Sequence, residues 1–281
     1  MKNLNWLIAT DLDGTLLDDT YAYATAGRAI DHIEQAPDTA VVLASSKTLP
    51  ELLHFVRFMS ARPFLLFENG GGLAWPTATF AGLSQQTVGG YDYTLFDQSI
   101  NAIRIALQTI AIRHRFDYLP MHAMTDAELT ARTHLPQREL PAARERLTSE
   151  PILWRDTRAK LDTFKRLLQD HRLAVIPGGR FLHIHAGSNK HRTLQHLRRH
   201  LCYQHGLRPK VLACGDAEND RNMLAHADRA LVFPGRDGRY LSLPRSRHCE
   251  YAKTVGPRSW LAGIKHLLPH LKTVVESTSD E

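Results

Sequence analysis

Cysteine is scarce in this sequence, and the few cysteines form no recognisable pattern. The 281 residues include only Cys202, Cys214 and Cys249, an odd number without metal-ligand spacing. This argues against a disulfide framework or a cysteine–zinc site, and we expect reduced thiols, as in a cytoplasmic protein. A chain of this length can bury a large core without such cross-links.

Long apolar runs are also missing. No stretch reaches the roughly 18 apolar residues that span a bilayer, so we expect no membrane partner. The apolar patch within residues 1–9 is too short for the central region of a signal peptide, and no cleavage site precedes Asp11. We therefore expect a soluble, cytoplasmic protein.

Basic residues outnumber acidic ones but do not form one run. Lys and Arg total 35 against 29 Asp and Glu, which gives a formal net charge of +6. The densest cluster, at 190–200, carries Leu194 and Leu197 at helical spacing, which indicates an amphipathic helix with a solvated basic face. We expect no nucleic-acid partner, because the basic residues form no single run. An excess of positive charge equally suits an enzyme that attracts anionic phosphates.

Apolar runs and helical patterns alternate in the first and last parts of the chain. Continuous apolar runs predict buried strands at 6–10, 39–44, 63–67, 210–214 and 230–233. Helices are predicted at 23–35, at 49–59, from 190 onward and at 260–268. Thr48 and Glu51 have capping-box spacing at the start of the second helix. This alternation predicts an α/β fold with a Rossmann-like, doubly wound parallel sheet.

The middle of the chain has a different pattern, which predicts a separate α/β unit inserted into the first. Helices are expected at 100–113, 142–147 and 160–170, and strands at 152–155 and 181–185. We therefore assign residues 1–82 and 187–281 to a core domain and residues 83–186 to an inserted domain. The polar tail at 276–281 is expected to be disordered.

The segment Asp11-Leu12-Asp13-Gly14-Thr15 places two carboxylates at the end of the first strand. A calcium loop of the EF-hand type needs glycine and glutamate where this chain has Leu16 and Ala22, so we reject it. A glycosyltransferase metal motif also has two aspartates but does not account for Gly14-Thr15. A phosphoryl-transfer site accounts for the whole segment, because one carboxylate attacks phosphorus and the other handles the proton of the leaving group.

Three further segments suit phosphoryl transfer. The hydroxyl and N–H groups of Ser45-Ser46-Lys47 suit phosphate oxygens, although a simple helix cap would explain them as well. Lys190 lies where the core pattern resumes, although a lone lysine is usually a surface residue. The segment 215–220 contains Asp216 and Asp220, which suit a hard cation such as Mg²⁺, with a helix-capping turn as the alternative.

These four motifs, in this order, resemble those of the haloacid dehalogenase superfamily of phosphatases over nearly the whole chain. The insert resembles the C2-type cap of the Cof-like branch, type IIB. A narrower resemblance, to mannosyl-3-phosphoglycerate phosphatases, is carried by segments in both domains: Ser45-Ser46-Lys47-Thr48 with Glu51, Pro63-Phe64, Glu68-Asn69-Gly70, Trp154-Arg155-Asp156, and Gly179-Arg180-Phe181 with His183. Other Cof-like enzymes usually have Thr-Gly-Arg at the position of Ser45-Ser46-Lys47.

The resemblance implies a role for each residue of the site. Asp11 would be the nucleophile that forms an aspartyl-phosphate, and Asp13 would protonate the leaving group and then deprotonate the attacking water. Mg²⁺ would be held by Asp11, the backbone carbonyl of Asp13, and Asp216, with Asp220 in support. Ser45 and Lys190 would hold the transferring phosphoryl group. The remaining candidates for substrate contact are Ser46, Lys47, Arg180, His183 and Asn219.

The expected reaction is hydrolysis of a small phosphorylated sugar or glycerate. By resemblance, 2-O-mannosyl-3-phosphoglycerate is the leading substrate and its glucosyl analogue the next, which would place the enzyme in mannosylglycerate biosynthesis. A phosphatase of the sucrose- or trehalose-phosphate type is the enzymatic alternative. A non-catalytic phospho-ligand or nucleic-acid binder would be expected to lack Asp11, Asp13 or Lys190, and all three are present.

Overall fold

A computed structural model describes residues 3–83, 86–178, 180–243 and 248–271 of the protein. The tail at 276–281, predicted to be disordered, lies outside these ranges, as does Gly179. Within them, no helix is both long enough and apolar enough to cross a membrane.

The first part of the chain builds one half of a large sheet. Strands β1 (Trp6–Thr10), β2 (Thr39–Ala44) and β3 (Phe64–Phe67) are parallel, with helices α1 (Tyr23–Glu34) and α2 (Leu49–Phe55) between them. Helix α2 begins at the predicted capping box, where the N–H of Glu51 donates to Thr48 Oγ1 and the N–H of Thr48 donates to the Glu51 carboxylate. Strands β4 (Gly72–Pro76), β5 (Gln86–Val88) and β6 (Tyr91–Leu95) extend the sheet in antiparallel fashion.

Residues 98–186 fold into a second unit, here called the small module; the other described residues form the large module. Its elements are α3 (Ile100–His114), β7 (Tyr118–Pro120), α4 (Asp126–Thr133), α5 (Leu140–Arg144), β8 (Ser149–Trp154), α6 (Arg158–Asp170), β9 (Ala174–Pro177) and β10 (Leu182–His185). Within the described residues, the strands form an antiparallel sheet in the order β7-β8-β10-β9. Helices α3 and α6 pack on it through Ile103, Phe164 and Ile184.

The chain then returns to the large sheet. Its last elements are α7 (Lys190–His205), β11 (Lys210–Gly215), α8 (Arg221–Ala225), β12 (Arg229–Val232), β13 (Cys249–Tyr251) and α9 (Pro257–Leu267). The large sheet of the described chain runs β13-β12-β11-β1-β2-β3-β4-β6-β5 and is parallel from β13 to β3. One buried apolar cluster joins it to α1, α2 and α9, and another joins it to α7 and α8. The predicted α/β fold with a parallel-sheet core is confirmed.

The inserted unit begins later than predicted. Strands β5 and β6, at 86–95, fall within the predicted insert of 83–186, but β6 pairs with β4 and so belongs to the large sheet. Their N–H and C=O groups complete the edge that β4 would otherwise expose. The small module therefore begins after β6. The helix predicted at 142–147 lies instead at Leu140–Arg144. The N–H of Glu145 still donates to the carbonyl of Pro141, but those of Leu147 and Thr148 donate to the Glu68 carboxylate.

Candidate active site

The carboxyl ends of β1 and β11 lie side by side where the strand order of the sheet reverses. Strand β1 pairs with β2 on one side and with β11 on the other, with Thr10 opposite Cys214. The N–H of Asp11 donates to the carbonyl of Cys214 (2.9 Å), which joins the first acidic segment to the strand that leads into the second. In open α/β sheets, such a reversal is the usual place for a ligand.

Lys190, the first residue of α7, is fully buried beneath this edge. Its ammonium group donates to Asp11 Oδ1 (2.6 Å) and to Asp220 Oδ1 (2.7 Å). Burial alone would lower the pKa of Lys190, but the charges of Asp11 and Asp220 outweigh burial and raise that pKa. Lys190 is therefore a buried cation that joins the two acidic segments, and not a surface lysine.

Three carboxylates converge beside this lysine. One oxygen each from Asp11, Asp216 and Asp220 lies within 4.8 Å of the other two. Burial raises the pKa of Asp11 well above its usual range; Lys190 opposes this rise, and the charges of Asp220 and Asp216 add to it. Burial and the charge of Asp220 raise the pKa of Asp216 to about 7. One ammonium group leaves this cluster with excess negative charge, which a bound divalent cation would neutralise.

The carboxylates of this cluster fit a magnesium ion, because Mg²⁺ takes oxygen ligands and needs only a few from the protein. Of the three, Asp220 accepts the most hydrogen bonds from the described residues. Its Oδ1 accepts from Lys190, and its Oδ2 accepts from the N–H groups of Asp216 (3.1 Å) and Ala217 (3.2 Å). Asp220 thus holds Lys190 and the Asp216 turn in place, while Asp11 and Asp216 keep oxygens available for a cation.

Asp13 approaches the same cluster, with one of its oxygens held and the other unpaired. Lys47 Nζ lies 3.1 Å from Asp13 Oδ2, whereas the buried Oδ1 has no hydrogen-bond partner among the described residues. The next residue, Gly14, has a φ of +86°, and a Cβ atom there would lie 2.8 Å from Asp216 Oδ2. Glycine is therefore required for the two acidic segments to approach this closely.

A cavity of about 380 Å³ opens above the acidic cluster, between the two modules. Its walls include most of the residues that the sequence nominates: Asp11, Asp13, Ser46, Lys47, Arg180, His183, Asp216 and Asn219. Ser45, Lys190 and Asp220 lie behind these walls, each at most 1% exposed. The volume suits a small metabolite.

Arg180 and His183 reach this cavity from the small module. Burial and the positive charge of Arg146 lower the pKa of His183 to about 3, so its ring is neutral at physiological pH. Arg180 is half-buried, and its Nη1 donates to the carbonyl of Thr133 (3.0 Å). The segment 154–156 does not line the cavity; Asp156 instead accepts from the N–H of Thr157 and from Lys160 at the start of α6.

The sequence did not predict the contact that joins the two modules beside the cavity. Glu68, which follows β3, is fully buried and has a φ of +51°, a strained conformation for a residue other than glycine. Its carboxylate accepts from the N–H groups of Leu147 (2.7 Å) and Thr148 (3.0 Å) and from the hydroxyl of Ser149 (2.7 Å). Arg146 lines the cavity and carried no signal in the sequence, because it lay inside a predicted helix.

Comparison with known families identifies the class of protein. A model of the haloacid dehalogenase-like hydrolase family matches residues 8–232. This range contains every residue nominated for the site, and the chain belongs to this family.

Solved structures with the same fold include several phosphatases. A phosphatase of the haloalkanoate (HAD) superfamily from Bacteroides thetaiotaomicron is 16% identical with a TM-score of 0.64, over 94% of this chain and 95% of that chain. A sugar phosphatase of HAD subclass IIB is 12% identical with a TM-score of 0.58, over 93% and 98%. The sucrose-phosphatase from Synechocystis, in complex with sucrose and phosphate, is 16% identical with a TM-score of 0.56, over 95% and 98%. At these identities the likeness establishes the fold.

Proposed function

We propose that this hydrolase is a phosphate monoester phosphatase that works through an aspartyl-phosphate on Asp11. A carboxylate oxygen of Asp11 attacks phosphorus, the bond from phosphorus to the leaving oxygen breaks, and Asp13 gives its proton to that oxygen. Asp13 then takes a proton from the water that attacks the aspartyl-phosphate, which releases inorganic phosphate and restores Asp11. The buried contact of Lys190 with Asp11 and Asp220 is the observation that carries this proposal.

Mg²⁺ is the cofactor that we propose for this site. Asp11, Asp216 and the backbone carbonyl of Asp13 would hold it, and Asp220 would support it by fixing the Asp216 turn. When bound, the ion neutralises negative charge on the phosphoryl group and on the carboxylates. Lys190 and Ser45 hold the phosphoryl oxygens, with Asn219 beside them at the cavity wall.

The small module serves as a cap that selects the substrate in this proposal. Its Arg180 and His183 face Lys47 and Ser46 of the large module across one cavity. An arginine suits a carboxylate, and a phosphoglycerate has one, unlike a simple phosphate ester. We therefore name 2-O-mannosyl-3-phosphoglycerate as the leading substrate, with its glucosyl analogue next.

A phosphate-release screen with Mg²⁺ tests this function. The panel contains both glycosyl-3-phosphoglycerates, sucrose and trehalose phosphates, and an aryl phosphate. The two phosphoglycerates should have the highest kcat/KM. Preference for sucrose or trehalose phosphate would contradict the substrate assignment, and no release from any ester would contradict the phosphatase assignment. Salt-sensitive binding of DNA without phosphate release would instead support the nucleic-acid binder.

A further inference from the structure

Arg146 is a buried arginine that faces the cavity from the segment between α5 and β8. Its side chain is 4% exposed. Nε donates to the carbonyl (3.0 Å) and the hydroxyl (3.1 Å) of Ser149. Nη2 donates to the same hydroxyl (2.9 Å) and to the carbonyl of Ser46 (2.9 Å), which belongs to the large module. Two of the three guanidinium nitrogens are therefore committed, and they fix the plane of the group.

The third nitrogen, Nη1, keeps its two N–H donors free. Nη1 has no hydrogen-bond partner among the described residues. It is also not completely enclosed by them, unlike the buried unpaired atoms elsewhere in the described chain. Because Arg146 lines the 380 Å³ cavity, its free donors have access to that space. A buried guanidinium with unused donors that reach a cavity is suited to bind an anionic oxygen of a ligand.

The charge of Arg146 is also incompletely neutralised. Among the described residues, the nearest carboxylate is that of Glu68, whose Oε2 lies 3.7 Å from Nε. That carboxylate already accepts from the N–H groups of Leu147 and Thr148 and from the Ser149 hydroxyl. Glu68 therefore anchors the segment that carries Arg146, but its oxygens are shared with these three donors and with the Thr148 hydroxyl. A buried charge with such weak pairing favours a ligand of opposite sign.

The position of Arg146 indicates which part of the substrate it would meet. Its Nη2 contacts the backbone of Ser46, next to Ser45. The positive charges of Arg146 and Lys190 both lower the pKa of His183. In the proposed mechanism the phosphoryl group is already served by Lys190 and Ser45. A cavity-facing residue of the small module would therefore bind an anionic group on the leaving-group part of the substrate.

We propose that Arg146 is a specificity-determining residue that binds the carboxylate of a phosphorylated hydroxy acid. This inference rests on the proposed function and deepens it. Glu68, Ser149 and Ser46 hold the guanidinium in place, so little side-chain entropy is lost when the ligand binds. A phosphate ester that lacks the carboxylate leaves Nη1 unpaired, and the site discriminates against it.

Calorimetric binding to the full-length Asp11→Asn protein with Mg²⁺ tests this inference, because that variant cannot turn its ligands over. The two ligands are 3-phosphoglycerate and glycerol 3-phosphate, which have a carboxylate and a hydroxymethyl group at the same position. We expect 3-phosphoglycerate to bind roughly 10- to 150-fold more tightly, the range of one charge-assisted hydrogen bond. Adding Arg146→Met should remove most of the preference, leaving only the contribution of Arg180, while glycerol 3-phosphate affinity stays within about threefold.

Two companion variants guard against a folding defect. Arg146→Lys keeps the charge but not the paired contacts to Ser149 and Ser46, so it should retain part of the preference. Arg104→Met is the matched control. Arg104 also pairs with a buried carboxylate of the small module, Glu150 (2.6 Å), but does not line the cavity, so the preference should be unchanged. Urea unfolding of each variant checks its stability.

Several results would overturn the inference. One is equal or undetectable binding of the two ligands by the Asp11→Asn protein. Another is an intact preference for 3-phosphoglycerate in Arg146→Met. The last is an equal loss of affinity for both ligands in Arg146→Met and Arg146→Lys. Phosphate release by the wild type is measured separately. Release without carboxylate preference defeats only the role of Arg146, whereas preference without release defeats only the phosphatase assignment.

Discussion

Lys190→Met removes an ammonium group that contacts both Asp11 and Asp220, and keeps a side chain of similar length. The carboxylates of the cluster, two buried and that of Asp216 half-buried, then remain within 4.8 Å of one another, and no cationic side chain of the described residues contacts them. Removing one partner of a buried ion pair costs about 3–5 kcal/mol. Two like charges about 4 Å apart repel by roughly 4 kcal/mol at an effective dielectric constant of 20, which agrees in size. We therefore expect a loss of about 3–5 kcal/mol in the free energy of unfolding in chelator.

The assay is urea unfolding at pH 8 followed by tryptophan fluorescence, which reports mainly on the large module through Trp6, Trp75 and Trp260. Mg²⁺ should stabilise the wild type, by about 2.7 kcal/mol at a hundred times its Kd, and should stabilise Lys190→Met by more, because the variant site is more negative. Lys165→Met is the control, since Lys165 is 44% exposed and its ion pair with Asp162 is long, at 3.9 Å. A loss below about 1 kcal/mol in chelator, or one equal to that of the control, would refute the reasoning.

Three further predictions concern the metal, the cap and the core. Phosphate release should vanish in excess chelator and return with Mg²⁺ but not with Ca²⁺, and Asp216→Ala should raise the Mg²⁺ concentration that gives half the maximal rate; full activity in chelator would contradict the metal assignment. Arg180→Ala should lower kcat/KM for a glycosyl-3-phosphoglycerate by roughly 10- to 150-fold and hardly change hydrolysis of an aryl phosphate, whereas an equal loss on both would contradict its placement. Burial raises the pKa of Glu34 to about 7, so its protonated form favours the fold, and this contribution to stability is lost as the pH rises through 7. The urea midpoint of Glu34→Gln minus that of wild type should therefore be larger at pH 8 than at pH 5. A difference that is the same at both pH values would show that Glu34 ionises normally.

The parallel part of the large sheet was predictable because its strands are buried on both faces. Such strands appear as continuous apolar runs, as at β1, β2 and β11. Strands β5 and β6 gave no such signal. All of β5 is exposed, and half-buried positions end β6, so their place depends on pairing with β4 rather than on their own composition.

The acidic part of the site could be nominated from the sequence because each residue directly follows a predicted strand. Strand order then brings Asp11 and Asp216 together without any further information. Arg146 could not be nominated in this way. Its contact with Ser46 spans 100 residues of sequence and depends on how the small module packs against the large one. Glu68 does follow a predicted strand, but its partners could not be predicted, because the N–H groups of Leu147 and Thr148 lie 79 and 80 residues further along the chain.

The most direct test of the account is phosphate release by Asp11→Asn, assayed with Mg²⁺ on the best substrate of the panel. The substitution keeps the shape of the side chain and removes the attacking charge, so turnover should fall by at least about a thousandfold. Asp92→Asn is the matched control, because Asp92 is also buried but lies in β6 and does not line the cavity. It should stay within about threefold of wild type. Activity of Asp11→Asn within tenfold of wild type would show that Asp11 is not the nucleophile.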